Sequence, residues 1–313
     1  MMKEAAAGIK KLFSCSPDSR TLKLNNDTGM LKLLACVLML LDHTGKMIFG
    51  YLPVLKPAEW LDGCIRAVSP SLLSPERASG IADWVKENLS FLLPSGLNIM
   101  RLLGRIAMPL FAYCVAVGCS RTRNIWKYIA RLFLLAILVQ PLYQEAMGHV
   151  RLNGFDWAGS WYDLKEIYRY YYARNLNILF TLGFAALLLG LIRCRRYELL
   201  VFAAAAVCCL SGRLDYGFRG VMLIVLFYAV LDRPLAALLL VGGYFLWWAY
   251  PREYFSISGF AIGGSRTEIY AIWALVPICL PVKKRLVKLP KWLFYGFYPA
   301  HLALLYLHLL CTK

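Results

Sequence analysis

Apolar runs close to twenty residues long, separated by short polar or proline-bearing joints, recur along most of the chain. A helix needs roughly 20 apolar residues to cross a hydrocarbon core of about 30 Å. By that measure the pattern predicts nine membrane-spanning helices, at approximately 30–49, 99–119, 126–144, 176–193, 197–213, 219–232, 234–250, 262–280 and 292–311. The segment 219–232 is short for a span, and 262–280 opens on polar residues. The expected fold is an all-α polytopic membrane helix bundle. A basic arm over 1–29 leads into one transmembrane domain over 30–311, which carries a polar insertion at 50–98 and a second polar loop at 145–175. Within these, "IADWVKENLSFLL" reads as an amphipathic piece lying flat on the bilayer. "WYDLKEIYRYYYARN" packs six aromatics among charges, as an interfacial helix or an acceptor platform would.

Composition agrees with this picture, since 313 residues that are 60% hydrophobic exceed what one soluble core of that size can hide. The bilayer is thus the first partner. Charge adds sidedness. The 35 basic residues outnumber 18 acidic ones, and they gather in the N-terminal arm, the 120–127 loop, the 193–196 turn and the 281–291 loop. The stretches 50–98, 145–175 and 250–261 mix the two signs. The positive-inside bias therefore places the N-terminus in the cytoplasm and the C-terminus outside. No soluble basic domain is left to serve a nucleic acid. Ten cysteines include no CxxC, and most fall within spans, where thiols pack in helix contacts. No metal-ligand spacing is seen. The first 30 residues have no apolar core ahead of a cleavage site, so the first span serves as the targeting element. Oligomeric state stays open.

Ionisable residues inside spans are costly and mark function by default. "LKLLACVLMLLDHTGKMIFG" (31–50) places Asp42 and His43 about 18–20 Å from the cytoplasmic start of the first helix. Eleven steps of about 100° separate Lys32 from His43, within about 20° of three full turns. Lys32, Cys36, Met39 and His43 therefore line one face, like the wall of a cleft running into the membrane. Asp42 points about 100° away from His43, and pairs either with Lys46 or with an arginine of another helix; Lys46 otherwise snorkels outward. In the second span, Arg101 and Arg105 share a face at about the depth of His43, where guanidinium groups can clamp a phosphate, a carboxylate or a developing oxyanion.

Smaller signals follow. Asn175 and Asn177 sit at the mouth of the fourth helix, as caps or as ligands. Asp215 lies in "GRLDYGFRGV", explained by turn chemistry or by facing the cleft with Arg219. Tyr298 and His301 lie mid-span in the last helix, on either side of Pro299. His308 reads as interfacial.

These stretches resemble the TraX family of bacterial inner-membrane proteins, whose founding member is implicated in N-terminal acetylation of conjugative pilin. The resemblance runs through "LKLLACVLMLLDHTGKMIF", "MRLLGRIAMPLFAY", "CSRTRN", "KYIARLFLLAILVQP", "LNILFTLG", "LDYGFRGVMLIVLFY" and "LFYGFYPAHLALLYL" in the family's order. A more distant likeness reaches the transmembrane acyltransferases, in which a basic residue and an alanine precede a first-helix histidine and an RxxxR pair follows. The matching positions are Lys32, Ala35 and His43, then Arg101 and Arg105, with lysine standing where arginine is usual.

The resemblance implies an acetyltransferase that takes acetyl from cytosolic acetyl-CoA to an acceptor amine, a pilin-like protein N-terminus, at the outer face. A surface-glycan hydroxyl is the alternative acceptor. A transporter or surface-fibre assembly component is the non-enzymatic alternative, although the inverted symmetry of a transporter is not visible. On this reading His43 is the reacting group and Asp42 supports it through a partner. Lys32, Arg101, Arg105, Asn177, Asp215, Tyr298 and His301 are the binding candidates.

Overall fold

The computed structural model describes residues 22–48, 97–148, 164–173, 175–249, 266–282, 286–288 and 290–312, with short pieces at 54–55, 80–81, 83, 255–257 and 260–262. The basic arm up to residue 21, most of the 50–98 insertion with all but Ile81 and Asp83 of its amphipathic stretch, residues 149–163 and the cations at 283–285 lie outside the described residues.

Helix α1 spans Thr28–Met47. A two-residue ladder pairs β1 (Val54–Leu55) with β2 (Leu97–Asn98) and leads into α2 (Ile99–Gly104) and α3 (Ala107–Arg121). Helix α4 covers Ile125–Ala146. The aromatic segment forms α5 (Leu164–Ile167), which widens into a π-turn over Tyr168–Tyr172. Helices α6 (Ile178–Arg193), α7 (Tyr197–Leu210) and α8 (Gly217–Ala229) follow. Next comes a helix that starts as α9 (Pro234–Ala236), loosens to π over Ala237–Val241 and resumes as α10 (Gly242–Ala249). A second ladder, β3 (Phe255–Ile257) with β4 (Phe260–Ile262), precedes a nine-residue 3-10 helix over Arg266–Ala274 that runs into α11 (Leu275–Cys279). The last helix is α12 (Lys291–Thr312).

Each of the nine predicted apolar segments thus holds a helix among the described residues. Four are long and apolar enough to cross a membrane: Thr28–Met47, Ile99–Arg121, Ile125–Ala146 and Trp292–Cys311. The other five are shorter apolar helices. Helix α6, with 16 residues, rises about 24 Å, several ångströms short of a typical hydrocarbon core.

Helix α3 is the axis of the bundle. Leu110, Ala112, Tyr113, Ala116 and Cys119 are fully buried, with α1, α6 and α8 packed around them. In lipid no hydrophobic gain separates helix–helix from helix–lipid contact, so close approach through small side chains and satisfied polar groups must hold the bundle. Tyr113 donates its hydroxyl to the Asn25 carbonyl at 2.7 Å. On α6, Ala185 and Ala186 are fully buried.

The 99–119 segment was predicted as one helix, but the regular turn breaks at Arg105–Ile106. Pro109 explains it: proline lacks an N–H and its ring crowds the carbonyl four residues back, which is that of Arg105.

Two anchors fix α1. Asp27 caps its start, accepting from the Met30 amide at 3.1 Å, while its other oxygen accepts from the amides of Leu286 at 2.8 Å and Val287 at 3.2 Å, just ahead of α12. Burial pushes this carboxyl up, but the backbone amides outweigh it and hold Asp27 below its ordinary value. At the other end α1 and α2 approach at Gly104, where a Cβ would lie 2.6 Å from Asp42 Oδ1.

Candidate functional site

Two adjoining cavities follow the face of α1 that carries Lys32, Cys36, Met39 and His43. Cys36, Met39 and His43 line the first, of 330 Å³. Lys32 lines the second, of 520 Å³. Phe111, Leu179, Leu182 and Phe294 line both, so the two spaces share an apolar neck.

The second cavity is cationic. Lys32, Arg121, Arg131 and Lys288 line it and no acidic side chain does so among the described residues. Lys32 and the residues that join it come from the start of α1, the 120–127 loop, the first turns of α4 and the segment before α12. All lie in or beside stretches that the charge pattern assigns to the cytoplasm. Lys32 Nζ also stands 5.2 Å from the centre of the Phe294 ring, at the neck.

The first cavity holds both signs. Asp42, Asp215 and Glu268 line it with Lys46, Arg101, Arg105 and Arg219. Asp42 Oδ1 lies 3.5 Å from Arg101 Nε, so of the two partners the sequence left open, Lys46 or an arginine of another helix, the structure supplies the second and joins α1 to α2. Arg105, freed at the Pro109 break, donates to Glu268 Oε1 at 3.0 Å. The Glu268 carboxylate is delivered by the 3-10 helix. Three polar atoms of residues lining this cavity are buried without a hydrogen bond, Asp42 Oδ1, Arg105 Nε and the Tyr298 hydroxyl, and such groups are costly unless something binds them. Lys46 Nζ reaches Met147 Sδ at 3.5 Å. Asp215 and Tyr216 are aimed inward by a left-handed turn, with φ of 62° at Tyr216 and 58° at Gly217. Burial, partly offset by Lys46 and Arg105, pushes the Asp215 carboxyl up to about 6. Arg219 lies 5.3 Å over the Trp248 ring.

His43 sits where these groups meet. Its Nδ1 is 2.7 Å from His301 Nε2, and the rings lie 16° from coplanar. His301 itself is 3% exposed and stands behind His43, outside the cavity lining. Tyr298 lines the cavity. Asn177 does not: it caps α6 through the Leu179 amide at 3.0 Å, and its amide donates to the Ala136 carbonyl and Gln140 Oε1, both at 2.8 Å. The structure therefore gathers His43, Asp42, Arg101, Arg105, Asp215 and Tyr298 around one space, puts Lys32 at the entrance to the next, and holds His301 and Asn177 outside both.

Sequence reasoning passed over several of these residues. Glu268 was hidden in the polar opening of a predicted span, "SRTEIY", and that polarity was itself the signal. Arg131 and Trp248 gave no local sign. Asp27 followed by Thr28 and an apolar run reads as a helix start.

A family model described as TraX protein matches residues 27–308. The chain belongs to the TraX family. The TraX match opens at Asp27, the cap of α1, and runs past His301, so it contains both cavities. With its apolar helices, TraX membership makes this a membrane protein. Among curated proteins the chain is 27% identical over 224 residues to one described as a probable fimbrial assembly protein, FimC of serogroup H1, from Dichelobacter nodosus; the match covers 66% of this chain and 81% of the relative. No solved structure matches this TraX protein.

Proposed function

We propose that this protein is a multi-pass acetyltransferase of the cytoplasmic membrane that moves acetyl from cytosolic acetyl-CoA to an acceptor amine at the outer face. The observation that carries the reading is the pair of adjoining cavities, one lined only by cations among its charged groups and the other by His43. Acetyl-CoA has the same two-part form, a nucleotide bearing phosphates and a slender arm ending in a thioester. Phosphates suit Lys32, Arg121, Arg131 and Lys288, and the apolar neck suits the arm.

In the reaction, His43 takes a proton from the acceptor amine as its nitrogen attacks the thioester carbonyl carbon. The carbon–sulfur bond then breaks, and the departing thiolate recovers that proton from His43. Arg105, whose Nε is buried without an acceptor, is the donor suited to the developing oxyanion. Asp42 and Asp215, which line the same cavity, offer carboxylates to the N–H groups of the incoming neutral amine. A hydroxyl of a surface glycan would meet the same base and is the second acceptor class.

The test is acetyl-CoA-dependent labelling of acceptor by purified protein in micelles, wild type beside His43→Ala. Labelling lost in the variant supports the assignment, and equal labelling in both ends it. The printed name of the Dichelobacter relative favours one other reading, a non-enzymatic component of fimbrial assembly. Saturable binding of acetyl-CoA argues for the enzyme, whereas its absence together with a fimbriation defect argues for the assembly component.

A further inference from the structure

The geometry points to His301 as the positioning residue that fixes the tautomer of His43 and leaves His43 Nε2 bare. The inference rests on the acetyl-transfer reading only for what that bare nitrogen then does. His301 Nδ1 is 2.8 Å from the Phe297 carbonyl oxygen, one turn back on α12. A carbonyl oxygen can only accept, so Nδ1 carries the hydrogen. In a neutral imidazole the other nitrogen, Nε2, is then an acceptor. That nitrogen faces His43 Nδ1 at 2.7 Å, so His43 Nδ1 donates to it. One hydrogen remains to each ring, and His43 Nε2 holds a lone pair.

The surroundings enforce this order. The Phe297 ring stacks on His301, with centroids 5.0 Å apart and planes 18° apart, and the Tyr298 ring stands 5.6 Å away. Turning the His301 ring over would take Nδ1 away from the Phe297 carbonyl and Nε2 away from His43 Nδ1. The near-coplanar approach of the two imidazoles directs the His43 N–H at a lone pair, and His43, unlike His301, lines the cavity. The arrangement is that of a base held by a third group, with an imidazole backed by a main-chain carbonyl doing what a carboxylate does elsewhere. When His43 Nε2 accepts the acceptor's proton, its Nδ1–H stays on His301, which neither gains nor loses a proton.

The experiment uses the full chain in micelles with nitrogen-15 histidine, whose ring-nitrogen resonances distinguish the tautomers, and His43→Gln assigns the His43 signals. Wild type is expected to show neutral His43 protonated at Nδ1. His301→Leu, which offers no acceptor, releases His43 to a mixture of tautomers; His301→Gln, whose amide can accept from His43 and donate to Phe297, keeps the wild-type form. In acetyl-transfer assays His301→Leu loses about tenfold or more in kcat with KM for acetyl-CoA held within about twofold, and His301→Gln recovers most of the loss. His43 protonated at Nε2 in wild type overturns the inference, as does a His301→Leu protein with unchanged tautomer and kcat. If His301→Leu does not fold, the wild-type spectrum decides alone. If wild type transfers no acetyl group, the functional reading fails while the spectra still judge the tautomer.

Discussion

The two ends of α1 set positive or titratable side chains on one face in opposite surroundings. Around Lys32 the cations accumulate without acids, and Arg121, Arg131 and Lys288 are exposed. Around His43 the charges are interior and come in compensating pairs, Asp42 with Arg101 and Arg105 with Glu268. The difference follows from solvation. A guanidinium in contact with water needs no counterion and can wait for a polyanion, but one taken into a helix bundle must bring its carboxylate with it. One end is therefore suited to attraction and the other to chemistry.

The contrast breaks most sharply if the two ends are mutated in turn. His43→Ala should cut acetyl transfer by about a hundredfold or more while leaving acetyl-CoA affinity within about twofold, measured by single-turnover assays and equilibrium binding. A comparable loss of binding would mean that the ends are not separable. Neutralising the cationic end in the double variant Arg131→Gln/Lys288→Gln should do the reverse. KM for acetyl-CoA is expected to rise by about tenfold, equivalent to about 1.4 kcal/mol, with kcat unchanged and with the salt dependence of KM reduced.

The next effects are on stability. Gly104→Ala presses a methyl group onto Asp42 and should cost about 1–3 kcal/mol, read as a lower melting temperature in micelles. Asp27→Ala removes the cap of α1 and its tie to the segment before α12, for about 1–2 kcal/mol.

The smallest effect is a pH signature of the buried end. Asp215 has its carboxyl raised from 3.8 to about 6, so the folded protein holds this proton over a range in which the unfolded chain has released it. Stability on this account falls as pH rises from about 4 to about 6 and is level above. Asp215→Asn should therefore be the more stable protein at pH 7, with the advantage gone below about pH 4. An advantage independent of pH would assign the effect to something other than the titration.

Much of this was legible in the chain. Apolar run length located the helices, because a span must satisfy its own backbone and present a lipid-compatible surface, and both demands are local. The helical angle put Lys32 and His43 on one face and turned Asp42 toward another helix, and the structure supplies Arg101 as its partner. Asn177 was read as either cap or ligand, and the surrounding amides place it as a cap. Run length did not give the break at Arg105, the π and 3-10 stretches, or five helices shorter than a bilayer is thick.

By itself, then, the sequence determined a predominantly helical membrane protein, its family and the stripe on α1, since each depends on composition or on intervals of a few residues. Only the tertiary structure decided that His43 is backed by His301, 258 residues away. It also decided that Arg105 is neutralised by Glu268, 163 residues away, and that the cations from four separate stretches line one space. Helical periodicity fixes which face a residue takes but not which helix that face will meet; that is chosen by packing of the whole bundle, through small residues, caps and paired charges that no single segment contains.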